Sequence, residues 1–311
     1  MISFADALNA LLPVIIMTAT GWTLAHYNIV RDEGWRGLET LAYNVFFPAI
    51  IIYTLMRADF DTLPFGSLGL ALFLTVATMA AILIAVRPLI AGPLKLTGPR
   101  FTSVLQGSIR WNTFIGLALG ANLFGDAGLA LMAVAVVSMI PLLNLIVVSA
   151  LTVYVDGPAP TVRGFVLNLA RNPFIISCAI GIFLNLLDLE LPVVAMTTLE
   201  TLGRSALAAS ILSIGAGLDL SVLRRPTGAL GLGVAARLIG MPLIAALYCT
   251  LIGVTGMALA VAIIATSVPA ASSSYVLARK MGGDDKLMAE ILTFQTVVAA
   301  VTLPIALLIL V

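Results

Sequence analysis

Charge is what this chain has least of. Only 10% of its 311 residues are Asp, Glu, Lys or Arg, while 61% are hydrophobic. Soluble domains carry about 25% charged residues, and a chain this poor in charge cannot cover a water-facing surface. A soluble globular protein is thereby excluded. The fold class expected is an all-α membrane protein, with the lipid bilayer as its first partner. The charge that exists is balanced, 16 basic against 15 acidic residues, which leaves no basic surface for nucleic acid. There is one histidine, His26, and the two cysteines, Cys178 and Cys249, sit inside apolar runs. With no further Cys or His at ligand spacing, neither disulfide, metal site nor cofactor is expected. Long polar blocks are missing too, so no separate soluble domain is expected. The N-terminus lacks a basic stretch and a small-residue cleavage site, so residues 3–26 read as a retained first span.

What is present is apolar and repetitive. Ten stretches of about 20 residues or more match the thickness of hydrocarbon: 3–26, 35–57, 64–87, 101–124, 127–155, 165–188, 194–219, 227–252, 256–281 and 286–310. Four features then recur in order at a nearly constant offset. Pro13 and Gly21 return as Pro173 and Gly181, and Leu38-Glu39-Thr40-Leu41 returns as Leu199-Glu200-Thr201-Leu202. The run PFGSLGL from Pro64 returns as PTGALGL from Pro226, and Gly125-Asp126 matches Gly283-Asp284. The chain reads as a five-span unit, residues 1–155, duplicated as residues 156–311. An odd number of spans per unit turns the second copy upside down, giving an inverted repeat. Basic residues, among them Arg31, Arg87, Lys95, Arg100, Arg163, Arg224, Arg225 and Lys280, cluster at the loops after odd-numbered spans, whereas Arg57 flanks an even one. By the positive-inside rule the odd loops are cytoplasmic and both termini are not.

Two spans are broken where a lipid-facing helix would be continuous. Span four carries Arg110 and Asn112-Thr113, and span nine carries Pro269-Ala270 and Ser272-Ser273-Ser274. Unpaired backbone groups in hydrocarbon cost several kcal/mol each, so such breaks survive only inside protein or beside water. Paired breaks in corresponding spans point to a transporter's substrate site, and these two should meet near the bilayer centre. Asn112 is expected to contact substrate, so that Asn112→Ala would weaken binding and spare stability. If the serines open a half-helix, its N-terminal end favours an anion; the bland alternative is that they let helices pack closely. Arg110 either pairs with an anionic substrate or bonds carbonyls freed by the break. Arg237, deep in span eight, serves anion attraction or inter-helix bonding. Glu200 and Arg204 have the spacing of an ion pair on one helix face. Tyr43, Asn44 and Pro48 interrupt span two, as a kink with an internally satisfied asparagine or with Asn44 touching substrate.

The run Arg110-Trp111-Asn112-Thr113-Phe114-Ile115-Gly116, its partner Ser267-Val268-Pro269-Ala270-Ala271 and the duplicated ten-span layout resemble the auxin efflux carrier family. Its bacterial members include malonate-transporter-like proteins, and its plant members are the PIN carriers. The resemblance covers the whole chain. It implies ten transmembrane helices as two inverted five-helix repeats with crossing helices four and nine, a fold shared with sodium/proton antiporters and bile-acid transporters. It also implies a scaffold from residues 1–60 and 165–222, a moving transport domain from residues 64–155 and 226–311, and a bacterial inner membrane. Asn144 of span five then faces the crossing, with Gln295 at comparable depth in span ten. The substrate set implied is Arg110, Asn112, Thr113, Asn144, Pro269, Ala270, Ser272, Ser273, Ser274, Gln295 and Asn44, for a small organic anion such as an auxin- or malonate-like carboxylate carried by an elevator-type mechanism. Proton coupling, sodium coupling and uniport are all compatible with the pattern, and a homodimer is expected through the charge-poor scaffold. Plant members have a proline where Trp111 stands, and many members have one where Ala118 stands. The break in span four is therefore expected to rest on Gly116, Gly120 and the polar pair.

Two other readings compete. A cation antiporter of the same fold wants carboxylates at the crossing, and spans four and nine contain none. An intramembrane enzyme would need a second aspartate to partner Asp219 of the GAGLD run, and none of the required kind occurs; the chain is read as a carrier and not as an enzyme.

Overall fold

The computed structural model describes residues 4–58, 64–155, 161–218 and 227–311. Asp219, Arg224, Arg225 and Pro226 lie outside the described residues. No strand occurs among the described residues. The helices are α1 (Phe4–His26), α2 (Asp32–Leu41), α3 (Phe47–Met56), α4 (Phe65–Ile90), α5 (Gly98–Ile109), α6 (Thr113–Val155), α7 (Val162–Ala170), α8 (Pro173–Leu186), α9 (Val193–Ala216), α10 (Gly228–Ala235), α11 (Met241–Ile252), α12 (Gly256–Ser267), α13 (Ser273–Met281) and α14 (Asp285–Leu310).

Five helical stretches, Asp32–Met56, Phe65–Ile90, Gly98–Val155, Gly228–Ile252 and Asp285–Leu310, are long and apolar enough to cross a membrane, and three shorter apolar helices accompany them. Large apolar side chains cover their outer faces: Leu70, Phe73, Ile82, Val137, Leu145, Val301 and Ile309 are all exposed. An apolar exterior on this scale belongs in a bilayer, and the protein is an integral, multi-pass membrane protein. Gly98–Val155 contains the expected spans four and five. They are separated at Gly125, whose φ of 59° is in the left-handed region that favours glycine. Elsewhere local chemistry shortens the helices. The Asn172 side chain accepts from the N–H groups of Phe174 and Ile175 at 2.9 and 3.4 Å, which restarts the chain as α8 with Pro173 at its head. The expected span nine stops at Ser267 and resumes at Ser273.

Among the described residues, two helices widen by one residue. A π-helical turn at Ala42–Phe46 joins α2 to α3, and another at Ala236–Gly240 joins α10 to α11. In each, an N–H reaches five residues back, Phe47 to the Ala42 carbonyl and Met241 to the Ala236 carbonyl. Each turn lies just ahead of a proline, Pro48 and Pro242. A proline has no N–H to give and its ring crowds the carbonyl four residues back, so the wider turn relieves both problems without ending the helix.

α1, α3, α8 and α9 pack chiefly on one another, and α4, α5, α6, α10, α11, α12 and α14 form a second group. In the first group α1 and α9 approach backbone to backbone. A Cβ on Gly21 would run into the Leu212 carbonyl, and one on Gly215 would run into the Thr18 carbonyl. Without a hydrophobic drive between helices in lipid, such close packing of small residues is what holds a pair together. Between the groups lies a seam of rings. Phe47 stacks on Phe114 at 4.7 Å, and Phe174 packs 5.6 Å from Phe47 and 6.1 Å from Phe114. The expected Glu200–Arg204 pair is present at 2.5 Å on α9, and Cys178 and Cys249 are free and buried.

The α1–α9 contact yields a stability prediction. Gly215→Val should overpack the pair by about 1–3 kcal/mol and lower the thermal unfolding midpoint of the detergent-solubilised protein. Gly231→Ala, where nothing lies within 4 Å of the added methyl, should leave that midpoint unchanged or slightly higher.

Candidate functional site

α5 and α12 end in the same way. Each leaves its last turn through one extended residue, Arg110 at φ −72° and ψ 146°, and Val268 at φ −66° and ψ 149°. The chains resume as helix at Thr113 and Ser273. The breaks touch, as expected: the Asn112 N–H donates to the Pro269 carbonyl at 2.8 Å. Asn112 itself opens the second half-helix. Its Oδ1 accepts from the N–H groups of Phe114 and Ile115 at 3.1 and 3.2 Å, and its carbonyl accepts from Gly116 at 3.0 Å. This is an N-cap; it places the polar pair at the break, as expected, and corrects the part given to glycine. Gly116 and Gly120 lie inside α6 and carry no part of the break; Gly116 is covered by the Trp111 ring and Gly120 faces Gly128. The cap also gives Asn112 a structural role beside the substrate contact expected of it, because its side chain satisfies donors that hydrocarbon cannot.

The carbonyls freed at the helix ends are received from behind the crossing. Arg237, with 0% exposure, donates through Nε to Val268 at 2.7 Å, through Nη2 to Ala265 at 2.6 Å and through Nη1 to Ile109 at 3.4 Å. Gln295, equally buried, accepts from the Ala270 N–H at 2.8 Å and donates to the carbonyls of Gly107 and Gly233 at 2.9 and 3.0 Å. Of the two roles open to Arg110 and to Arg237, carbonyl bonding falls to Arg237.

In front of the crossing lies a cavity of about 750 Å³. Arg110, Trp111, Asn112 and Thr113 reach it from the first break, Ala271, Ser272 and Ser273 from the second, and Asn144 from α6. Glu39, Thr40, Tyr43 and Asn44 close it from α2 and the π turn, and Asn172, Phe174, Ser210 and Ser213 from α8 and α9. Seven of the residues read from sequence therefore line one cavity: Arg110, Asn112, Thr113, Asn144, Ser272 and Ser273 on the side of the crossing, and Asn44 facing them. Pro269, Ala270, Ser274 and Gln295 are not among its lining. Pro269 borders a separate apolar hollow of about 300 Å³ beside α1 and α14, Ala270 and Gln295 bond each other, and Ser274 is fully buried. Asn44 donates its amide to the Thr40 carbonyl at 2.9 Å, the internal satisfaction expected of it. Asn172 was missed in the sequence, where its place directly ahead of Pro173 is the signal of a cap that could have found it. Ser210 and Ser213 carried no sequence signal, since only tertiary packing turns α9 toward the cavity.

The wall is electropositive. The N-terminal ends of α6 and α13 both lie in it, each worth roughly half a positive charge. The Arg110 guanidinium donates Nη2 to Asn144 Oδ1 at 3.3 Å, while its Nη1 is buried with no partner among the described residues. The Trp111 Nε1 is unpartnered in the same way. A buried donor left unmade is costly, more so when charged. Among the described residues Glu39 is the one acid in the lining.

A family profile described as membrane transport protein matches residues 6–154 and 161–307, nearly the whole chain. A comparison with curated proteins gives no match.

The cap geometry separates two effects at one position. Asn112→Ala should lose about 0.5–2 kcal/mol of stability, seen as a lower unfolding midpoint. Asn112→Asp keeps the capping oxygen and should keep the midpoint, while adding a negative charge that weakens anion binding. An alanine variant as stable as the wild type would show that the cap contributes nothing.

Proposed function

The chain belongs to the auxin efflux carrier family of membrane transport proteins, and from that membership we propose that it is a secondary carrier of a small organic anion. One observation carries the reading: two half-helix N-terminal ends share a cavity wall with Arg110, whose Nη1 has no partner among the described residues. A carboxylate fits this wall, since its two oxygens can accept from a guanidinium while helix N-terminal ends stabilise its charge. Phe114, Phe174, Ile140 and Leu143 supply an apolar surface for the rest of the molecule, and the volume suits a small ligand.

We read the mechanism as alternating access of the elevator type. The first packing group corresponds to a scaffold from residues 1–60 and 165–222, and the second to a moving domain from residues 64–155 and 226–311. The ring seam of Phe47, Phe114 and Phe174 supports this division, because sliding along apolar rings breaks no hydrogen bond. The exposed Arg57–Asp126 pair that bridges the groups is 4.0 Å long and would offer little resistance. Two inverted five-span repeats, residues 1–155 and 156–311, are supported by the matching exits at Arg110 and Val268. Arg100 at the start of α5 pairs with Asp284 ahead of α14 at 3.7 Å, which supports placing the ends that follow spans three and nine on the same side; the positive-inside rule makes that side cytoplasmic. Both termini are then non-cytoplasmic in a bacterial inner membrane. The outward stripe of Ile176, Ile180, Phe183 and Leu187 on the scaffold suits a homodimer contact. A cation carrier is disfavoured because Asp126 and Asp284 sit in ion pairs away from the crossing.

Uptake of radiolabelled mono- and dicarboxylates into proteoliposomes tests the reading, and saturable uptake of at least one is expected. Arg110→Gln removes a charged hydrogen-bond donor and should raise KM roughly 10- to 100-fold with the unfolding midpoint preserved; wild-type KM in this variant would remove the anion reading. For the mechanism, Arg57→Cys with Asp126→Cys on a Cys178→Ala, Cys249→Ala background should lose uptake when bridged by a bifunctional thiol reagent. Full uptake with the bridge complete would exclude sliding at this boundary.

A further inference from the structure

Arg237 heads the fully buried side chains by volume, and no carboxylate pairs with it among the described residues. An uncompensated cation inside a membrane protein is costly, so such residues face a cavity, an acid or backbone carbonyls. Here the carbonyls are those of Ala265, Ile109 and Val268. They come from the C-terminal ends of α12 and α5 and from the residue just beyond α12. A helix C-terminus carries about half a negative charge, so two meeting at one point amount to about one. One guanidinium balances that sum. Its planar fork also reaches both helices at once, which a point-like ammonium does less well.

The carrying helix is shaped for this task. Arg237 is the second residue of the π turn Ala236–Gly240, where the widened backbone sets its side chain toward the crossing. Gln295 completes the same face with a neutral amide that bonds Ala270, Gly107 and Gly233. Neither residue lines the substrate cavity.

Converging half-helix C-terminal ends and unwound carbonyls are also what coordinates a sodium ion in coupled carriers. In this protein those oxygens are already engaged. We propose that Arg237 is a tethered counter-cation, occupying the carbonyl site that a diffusible sodium ion would otherwise fill, so that the crossing is assembled and the anion loaded without sodium. Arg237 is thus a positioning residue, acting on the cavity through the two breaks. Removing it would leave at least the Val268 and Ala265 oxygens converging on an empty cationic site. That site would accept guanidinium, the nearest mimic of the lost group, and less well sodium.

The test needs no transported substrate. Purified full-length protein is unfolded thermally in sodium chloride, in choline chloride of equal ionic strength, and in choline chloride with low-millimolar guanidinium. The wild type is expected to show one midpoint in all three, and Arg237→Lys, which keeps the charge, a midpoint near it and equally indifferent. Arg237→Ala is expected to fall by several degrees in choline and to recover most of that loss with guanidinium and part with sodium. Should the alanine variant not fold, Arg237→Met keeps the stem length and takes its place, and the wild-type and lysine results decide the matter if neither folds. A wild-type midpoint raised by sodium over choline would overturn the proposal, as would neutral variants indifferent to every cation. A second arm rests on the carrier reading: uptake at fixed membrane potential should be equal with sodium and with choline, and sodium-dependent uptake would refute the proposal. Failure to find a transported anion would leave the thermal result standing, and a sodium-sensitive wild type would leave the anion site untouched.

Discussion

Two buried helices that stop and restart at one point leave orphan backbone groups, up to four at each free end, in a medium that offers them nothing. The surroundings of the crossing are organised by the need to receive those groups. Arg237 and Gln295 take carbonyls at the back, the Asn112 side chain takes N–H groups at the front, and the Asn112 N–H and Pro269 carbonyl satisfy each other. Without these partners the breaks would heal into continuous helix or the fold would not form.

The back and the front of the crossing are treated differently. Behind it, negative helix ends meet a cation that belongs to the chain. In front, positive helix ends meet Arg110, a further cation with one donor unused, and Glu39 is the one acid among the described residues of the lining. On the reading proposed above, this asymmetry is what suits the cavity of about 750 Å³ to an anion, in contrast to the apolar hollow of about 300 Å³ beside α1 and α14. Asn144 holds Arg110 by one arm, which fixes the guanidinium against the wall without neutralising it.

Much of this was legible in the sequence, and the limits are physical. The breaks announced themselves because Arg110, Asn112 and Pro269 are residues that hydrocarbon excludes. The contact between them was expected from their corresponding positions in the two proposed repeats. The break in span four was expected to rest on Gly116, Gly120 and the polar pair together; the polar pair is there, with Asn112 as the cap that starts the second half-helix, while a glycine under a tryptophan ring only makes room. Arg237 and Gln295 were visible as polar residues at depth, but their partners are carbonyls, which every residue has and no sequence marks. The serines of α9 were silent for the same reason, since which face of a polar-flecked helix looks inward is decided by the glycine contacts that seat it on α1.

The π turn in the second apolar stretch is one residue more than an α-helix would need between Leu41 and Phe47. One extra residue rotates everything on one side of it by about 100° relative to the other. Glu39 and Thr40 therefore face the cavity while α3 keeps its seat against α8 and α9. The turn works as a rotational offset stored in chain length. Loss of a single residue between 42 and 46 would leave both flanking helices intact in composition yet present a different face to the ligand, so among related chains a one-residue gap at this point would change selectivity more than most substitutions in the wall.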